Sequence, residues 1–140
     1  MSRIKGVRAA RARARRRPDQ LAKHTLVEIK QTVDEVHSSG RQNIDATVKR
    51  RRGVLRRFYS KRVMASSLVG AVGYLTKAAR RKAFYARFVH DGTKTASARP
   101  FHDMAVLEHE GSHLSRMRQA LSKTLNSESA PSSVGRSGGR

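Results

Sequence analysis

The stretch TLVEIKQTVDEVHSSGRQNI, residues 25–44, decides the fold because its apolar side chains recur every three or four positions. That spacing predicts an amphipathic helix. Pro18 and Asp19 favour a helix start, and the helix then spans about 30 residues, or roughly 45 Å. Ser38-Ser39-Gly40 is the point where a kink or break could occur. The apolar stripe consists of Ala22, Leu26, Ile29, Val33, Val36, Gly40, Ile44 and Val48.

Three stretches with strand composition are found after this helix. Residues 49–57 end the helix, with Gly53 at a turn. The segments RFYSKRVM (57–64), SLVGAVGYL (67–75) and AFYARFVHDGT (83–93) are rich in β-branched and aromatic residues. We therefore expect three strands with short connections, which favours an antiparallel meander.

A second amphipathic helix closes the chain. The basic connection TKAARRK (76–82) can form a short helical turn, and the last helix begins near Pro100, a residue suited to a first turn. Helical spacing gives this helix an apolar face that can pack on the sheet. Its members are Met104, Leu107, Gly111, Leu114, Met117 or the adjacent Arg118, Leu121 and Leu125.

The order of helix, strands and helix predicts an α+β fold, with the long N-terminal helix and the C-terminal helix packed on a small antiparallel sheet. A length of 140 residues suggests one domain, which we assign to 18–125. Residues 1–17 form a basic N-terminal arm that we expect to order only against a partner. Residues 126–140 are Ser/Gly-rich and are expected to be disordered alone.

The charge of the chain points to a negatively charged partner. The formal net charge is +21, from 31 Lys and Arg against 10 Asp and Glu. Two blocks, 1–17 and 46–90, contain no acid, and the second carries 13 Lys and Arg. Because self-repulsion opposes compactness, such blocks favour contact with nucleic acid or with acidic protein surfaces. No helix-turn-helix, RNA-recognition or OB-fold signature accompanies them.

The residues proposed for such contacts lie in the two acid-free blocks. They are Arg11, Arg13, Arg15, Arg16, Arg17, Lys49, Arg50, Arg51, Arg52, Arg56, Arg57, Arg80 and Arg81.

Composition argues against several other classes. With no Cys, the chain has neither disulfides nor a thiolate metal site. No apolar run approaches the roughly 18 to 20 residues of a membrane span. The basic N-terminus lacks the apolar stretch of a secretory signal, whereas a mitochondrial-type presequence stays compatible with the composition. No Gly-rich phosphate loop or assignable Ser/His/Asp set indicates an enzyme, and no cofactor is expected.

The stretch HEGSH, residues 109–113, matches the zinc-protease pattern His-Glu-x-x-His. A catalytic zinc needs three protein ligands, and the extended motif would require His where the chain has Gln119. Gly111 also weakens the helix locally. We therefore interpret His109 and His113 as boundary or surface histidines beside the apolar face, and we expect no metal site.

The segment FYARFVHDGTKTASARPFHDMAV, residues 84–106, resembles the head–tail joining or tail-completion proteins of long-tailed bacteriophages, relatives of the minor tail protein Z group. That family has Tyr-Ala-x-x-Val-Glu-aromatic-Gly-Thr, a short loop, and Ala-x-Pro-Phe opening a last helix. Here His90 and Asp91 replace its Glu and the following aromatic residue, and residues 53–56 resemble its Thr-Gly-x-Leu-Arg segment. The matching residues are Tyr85, Ala86, Val89, Gly92, Thr93, Ala98, Pro100 and Phe101.

The resemblance implies a non-enzymatic virion protein of the neck between capsid and tail. It implies a homo-oligomeric ring that contacts the connector or stopper and the tail-terminator or tail-tube proteins, with packaged DNA as a further non-specific partner. The protein would reside in the host cytoplasm during assembly and in the virion afterwards, without membrane contact. Charge alone leaves an alternative open, a small basic protein that binds nucleic acid without sequence preference.

Overall fold

The computed structural model describes residues 7–49 and 52–127. Within these ranges the chain forms five helices and a two-stranded sheet, so the predicted α+β class is confirmed. The elements in chain order are α1 (Val7–Thr47), α2 (Arg52–Phe58), β1 (Ser60–Met64), β2 (Val69–Gly73), α3 (Lys77–Lys82), α4 (Ala86–Asp91) and α5 (Phe101–Asn126).

The long helix α1 is the central element, because both α5 and the β-hairpin pack against it. The apolar stripe predicted for this helix is confirmed. Ile29, Val33, Val36, Ile44 and Val48 are all buried. Burying such side chains stabilises the fold by about 1.5–3 kcal/mol each.

The start of α1 differs from the prediction. The helix begins at Val7 instead of near Pro18, because the Ala and Arg residues before the proline are strong helix formers. Pro18 lies inside the helix, where it removes one backbone hydrogen bond without ending the helix. The part of the predicted arm from 7 to 17 is thus helical, and residues 1–6 lie outside the described residues.

Ser38-Ser39-Gly40, where the sequence allows a kink or a break, does not break α1, which continues through all three residues. Gly40 is kept small by packing, since a Cβ atom there would meet the ring of Tyr59. Tyr59 itself is 3% exposed. The glycine therefore marks a close approach between α1 and the start of the hairpin.

The sheet is a single antiparallel hairpin. Strand β1 pairs with β2 from Ser60 opposite Gly73 to Met64 opposite Val69. A Cβ atom on Gly70 would meet the side chains of Val33 and Ile29, so β2 lies directly on α1. The first two predicted strands are therefore present but shorter than expected.

The third predicted strand, 83–93, is wrong. Ala83 is the C-cap residue of α3, a turn follows it, and helix α4 comes next. Ala83 and Ala86 are buried, whereas Phe84 and Phe88 are 65% and 57% exposed. Burial therefore recurs at a helical step of three, which the β-favouring composition of the segment had hidden.

The turn predicted at Gly53 is wrong, because Gly53 lies within helix α2. Leu55 of this helix is fully buried, and its carbonyl oxygen accepts a hydrogen bond from the Tyr74 hydroxyl at 3.1 Å. The predicted helical turn at 76–82 is confirmed as α3, capped by the Thr76 hydroxyl. Asn126, which was predicted to begin the tail, still belongs to α5. Residues 128–140 lie outside the described residues.

One core cluster joins the C-terminal half of α1 to the hairpin, α4 and the start of α5. Phe101, which is 2% exposed, lies in this cluster and packs the start of α5 against it. The buried members are Ile44, Val48, Leu55, Tyr59, Ala83, Ala86 and Phe101.

The apolar face of α5 is the largest departure from the prediction. Its residues do not face the sheet. Leu107, Leu114, Leu121 and Leu125 are 70%, 52%, 48% and 52% exposed, whereas Ala105 and Ala120 are buried. We call the exposed side the leucine face of α5. Its members are Met104, Leu107, Gly111, Leu114, Arg118, Leu121 and Leu125.

The Gly40 contact predicts opposite effects for two helical glycines. Gly40→Ala should lower the free energy of unfolding by about 1–2 kcal/mol, because overpacking against Tyr59 outweighs the helix-propensity gain of up to about 1 kcal/mol. Gly111→Ala is the matched control, since a Cβ atom there meets nothing within 4 Å. It should raise stability by up to about 1 kcal/mol. Urea denaturation of both variants measures this, and stabilisation by Gly40→Ala would contradict the packing.

Candidate functional site

Three of the six histidines, His24, His109 and His113, lie in a polar seam between α1 and α5. His24 Nδ1 contacts Thr124 Oγ1 at 2.9 Å, and His113 Nδ1 contacts Thr32 Oγ1 at 2.8 Å. Nearer the core, the amide of Asn43 donates to the carbonyl oxygen of Phe101 at 3.1 Å. These pairs place the start of α5 beside the end of α1, so the two helices run antiparallel.

The protons in the seam can be assigned from the backbone contacts. The Thr32 hydroxyl donates to the Glu28 carbonyl at 3.0 Å, and the Thr124 hydroxyl donates to the Ala120 carbonyl at 2.9 Å. Each hydroxyl has a single proton, so its oxygen must accept from the histidine that faces it. The two imidazoles therefore donate from Nδ1, in either protonation state.

Arg116 ties the middle of the seam together. Its Nη2 atom lies 2.7 Å from Glu35 Oε2 and 2.9 Å from Thr32 Oγ1, and its Nε lies 3.5 Å from a Glu28 carboxylate oxygen. The Arg116 and Glu28 side chains are 16% and 14% exposed. A hydrogen bond from Gln31, followed by Arg116 and His109, lowers the pKa of Glu35.

Both histidines of HEGSH contact α1 within this seam. His113 bonds Thr32, and His109 Nε2 lies 2.7 Å from Ser39 Oγ. They thus contact α1 at the edge of the apolar packing, in line with their interpretation as boundary residues. Among residues 7–49 and 52–127, no three His, Asp or Glu side chains come together as a metal site would require.

The sequence contained a signal for the seam that the apolar stripe concealed. Polar residues of α1 follow the same helical spacing, each one position before a buried residue of the stripe. Those that contact α5 are Glu28, Thr32, Glu35, Ser39 and Asn43.

Tyr59 joins the seam to the core. Its ring stacks on His37 at 5.7 Å, and its hydroxyl lies 2.7 Å from His102 Nδ1. Burial raises the pKa of Tyr59, so the hydroxyl stays protonated and donates to a neutral His102. Burial also lowers the pKa of His102, with smaller opposing and supporting contributions from Asp103 and His90.

A cleft of about 300 Å³ opens beside Tyr59, between the hairpin and α4. His90 on its wall bonds Asp91 through Nδ1 at 2.7 Å and packs edge-on against Phe101 at 5.3 Å. This bond lowers the pKa of Asp91. The Nε2 atom of His90 lies 3.4 Å from Asp103 Oδ1 without forming a hydrogen bond. His90 thus contacts the start of α5 through the Phe101 ring, and Asp91 holds the His90 ring from within α4. Both residues depart from the phage family's pattern.

The segment that resembles that family's motif folds into a closed loop. Gly92 has φ of 80°, and a Cβ atom there would lie 2.7 Å from the backbone nitrogen of Ala98. The Arg99 amide donates to the Val89 carbonyl at 3.0 Å, which closes the loop ahead of Phe101. Pro100 is the residue before α5, not its first helical residue. The motif residues therefore shape the connection between α4 and α5.

The remaining motif residues have less central positions. Ala86 is buried, Tyr85 and Val89 are half-buried, and Ala98 is exposed. The Thr93 hydroxyl accepts from the Ala96 amide at 3.1 Å within the loop.

The basic residues of the first block are displayed by the N-terminal part of α1. Because His24 lies beside Thr124, the helix from Val7 to about Asp19 extends past the end of α5 by roughly 18 Å. Arg11, Arg13 and the run 15–17 are all exposed on this extension.

Some candidates of the second block face solvent, and others have a partner within the chain. Lys49, Arg52, Arg80 and Arg81 are exposed, and Arg50 and Arg51 lie outside the described residues. Two candidates have partners within the chain. Arg56 Nη1 lies 2.6 Å from Asp45, and the guanidinium of Arg57 lies 5.8 Å from the ring centre of Phe58.

None of the helices within the described ranges is both long and apolar enough to cross a membrane. Comparison of the chain with family models, curated proteins and solved structures finds no match.

The His102 contact predicts a loss of stability on acidification. The lowered pKa means that the unfolded chain, near the ordinary value of 6.5, binds the proton more readily than the folded one. The stability that neutral His102 contributes is therefore complete above that pH, and it is lost as the pH falls through the folded-state pKa of His102. His102→Gln keeps an acceptor for Tyr59 and does not titrate. Its unfolding free energy, from denaturation at pH 7.5 to 5.5, should fall less steeply than that of the parent, and parallel curves would contradict the assignment.

Proposed function

We propose that this chain is a structural subunit of the bacteriophage neck, which joins head to tail as part of an oligomeric ring. The observation that carries the proposal is the ordered set from Tyr85 to Phe101, which resembles the family's motif in sequence and spacing. The proposed neighbours are the connector or stopper and the tail-terminator or tail-tube proteins. The proposed location is the virion, after assembly in the host cytoplasm.

The structural use of the motif supports a scaffold role. Gly92 permits the turn, and Phe101 fills the core at the point where the last helix returns to α1. A motif retained for folding is what a structural subunit needs, since its task is to present surfaces at fixed positions. The replacement residue His90 fits this use, because its ring packs against Phe101 at the start of α5 while Asp91 bonds it within α4.

The surface also supports an assembly role. The exposed α1 extension and the leucine face of α5 offer one basic and one apolar surface on the same small chain. Apolar patches of this kind mark interaction sites more often than free surface. Arginines on the extension can contact acidic faces of neighbouring proteins or the phosphates of DNA passing through a ring.

Loss of the protein should interrupt the attachment of tails. In a phage that carries this gene, deletion should give DNA-filled heads and separate tails, because each half assembles without the joining ring. Electron microscopy of the lysate measures this. Complementation from a plasmid is the control and should restore joined particles. Infectious, normally tailed particles from the uncomplemented deletion would exclude the joining role.

A second candidate function is non-specific nucleic-acid binding, favoured by the exposed arginines on α1. Like charges on an isolated helix repel one another, and a polyanion would relieve that repulsion. No groove-reading element was recognised in the sequence, so binding should depend on phosphate contacts and not on base sequence.

Salt dependence separates this binding from sequence reading. If about six phosphates are neutralised, affinity for a random duplex should fall roughly 10³-fold between 50 and 200 mM salt. Replacing the five arginines of the extension with Gln preserves helix propensity and should flatten the slope. The five are Arg11, Arg13, Arg15, Arg16 and Arg17.

The control replaces Lys23 and Lys30, two exposed bases on the part of α1 that lies beside α5, and should leave the slope nearly unchanged. Fluorescence titrations with random and defined duplexes provide the measurement. A sequence preference that persists at high salt, or an unchanged slope in the five-residue variant, would count against this function.

A further inference from the structure

The leucine face of α5 is apolar but exposed to solvent. Its members are separated by alternating steps of three and four residues, and Leu107, Leu114 and Leu121 recur every seven. With 100° per residue, the face lies roughly 170° around the helix from the seam residues that contact α1. The helix therefore binds α1 with its polar side and turns its leucines outward.

This spacing is the one that pairs two helices. A repeat of seven with Leu at one position throughout supplies the side chains that insert between those of a facing helix. The face runs from Met104 to Leu125, about 32 Å along the helix axis. In the sequence of residues 128–140, Val134 is the one aliphatic residue besides Ala130 and Pro131, so this segment contains no comparable stripe of large apolar side chains.

Charges on α5 indicate which helix fits. Its N-terminal half carries the acids Asp103, Glu108 and Glu110, and its C-terminal half carries Arg116, Arg118 and Lys123. Arg116 is bound to Glu35, whereas Arg118 and Lys123 are exposed. Two such helices side by side in parallel would place acids against acids. At 100° per residue, Asp103, Glu110 and Arg118 lie on the leucine side of α5, whereas Arg116 and Lys123 lie on the seam side. In the antiparallel arrangement, Glu110 of each helix therefore comes close to Arg118 of the other.

The same charges make α5 the helix that a second copy can approach. The chain as a whole carries +21, so most surfaces of two copies repel. On α5 three acids and three bases cancel. Contact there brings together apolar side chains without adding repulsion between excess arginines.

We propose that the leucine face of α5 binds the same face of a second copy, with the two α5 helices antiparallel about a two-fold axis near the middle of the helix. The contact is self-complementary, so it closes a pair. The pairing does not rest on the neck assignment, and a ring would need a further contact elsewhere on the surface.

The stoichiometry test uses sedimentation equilibrium of the full chain. The parent should be a dimer. Leu114→Glu, which places a charge at the centre of the face, should raise the dissociation constant by at least about 30-fold. Because Leu114 is 52% exposed, circular dichroism should show an intact fold in this variant. Val27→Glu is the matched control, since Val27 is a 61% exposed aliphatic residue on α1, and it should remain a dimer.

The orientation test uses disulfide cross-linking, which is clean because the parent has no Cys. A mixture of Leu107→Cys with Leu121→Cys or Leu125→Cys chains, distinguished by tag size, should form mixed disulfides. Each variant alone should cross-link much more slowly, because antiparallel helices hold equivalent ends apart.

Four results would overturn the proposal. They are a monomeric parent at all accessible concentrations, a dimer that survives Leu114→Glu, a dimer lost equally in Val27→Glu, and faster cross-linking of Leu107→Cys with itself than with the Leu121→Cys or Leu125→Cys chains. The last would show a parallel pair, in which the charges on α5 oppose association.

Discussion

The polar seam between α1 and α5 is the constraint on which the rest of the structure depends. Imidazole–hydroxyl pairs and the Arg116–Glu35 ion pair fix the two helices antiparallel and set their register. A half-buried polar contact is stable only when its donors and acceptors are matched, so this seam tolerates little rotation of α5. Once α5 is held by that side, Phe101 enters the core and the leucine face is left outside.

The sequence specified the elements that depend on a single apolar stripe. Helix α1 could be predicted because Ile29, Val33 and Ile44 recur at helical spacing and are buried together. The hairpin could be predicted from its β-branched residues, and Phe101 from its place after Pro100. Each of these predictions rests on local chemistry that favours one structure clearly.

Other features depended on choices that periodicity alone cannot make. Helix α5 carries two stripes at the same spacing, one of His, Arg and small residues and one of leucines, and only the polar partners on α1 decide between them. Segment 83–93 has strand composition, but the sheet has two strands, and this segment instead buries Ala83 and Ala86 at a helical step. The candidate basic residues could be named from charge. Their separation into an exposed extension and internal pairs such as Arg56 with Asp45 required the fold.

The most direct test of this account is which side of α5 is accessible in the folded monomer. Single cysteines at Leu114 and Ala120, 52% and 1% exposed, report the two sides separately in a chain without other thiols. At high dilution, Leu114→Cys should react with a thiol reagent nearly as fast as unfolded chain. Ala120→Cys should react at least about 100-fold more slowly, because it must wait for local opening. Fast labelling at 120 with protection at 114 would place the leucines in the core and contradict the seam.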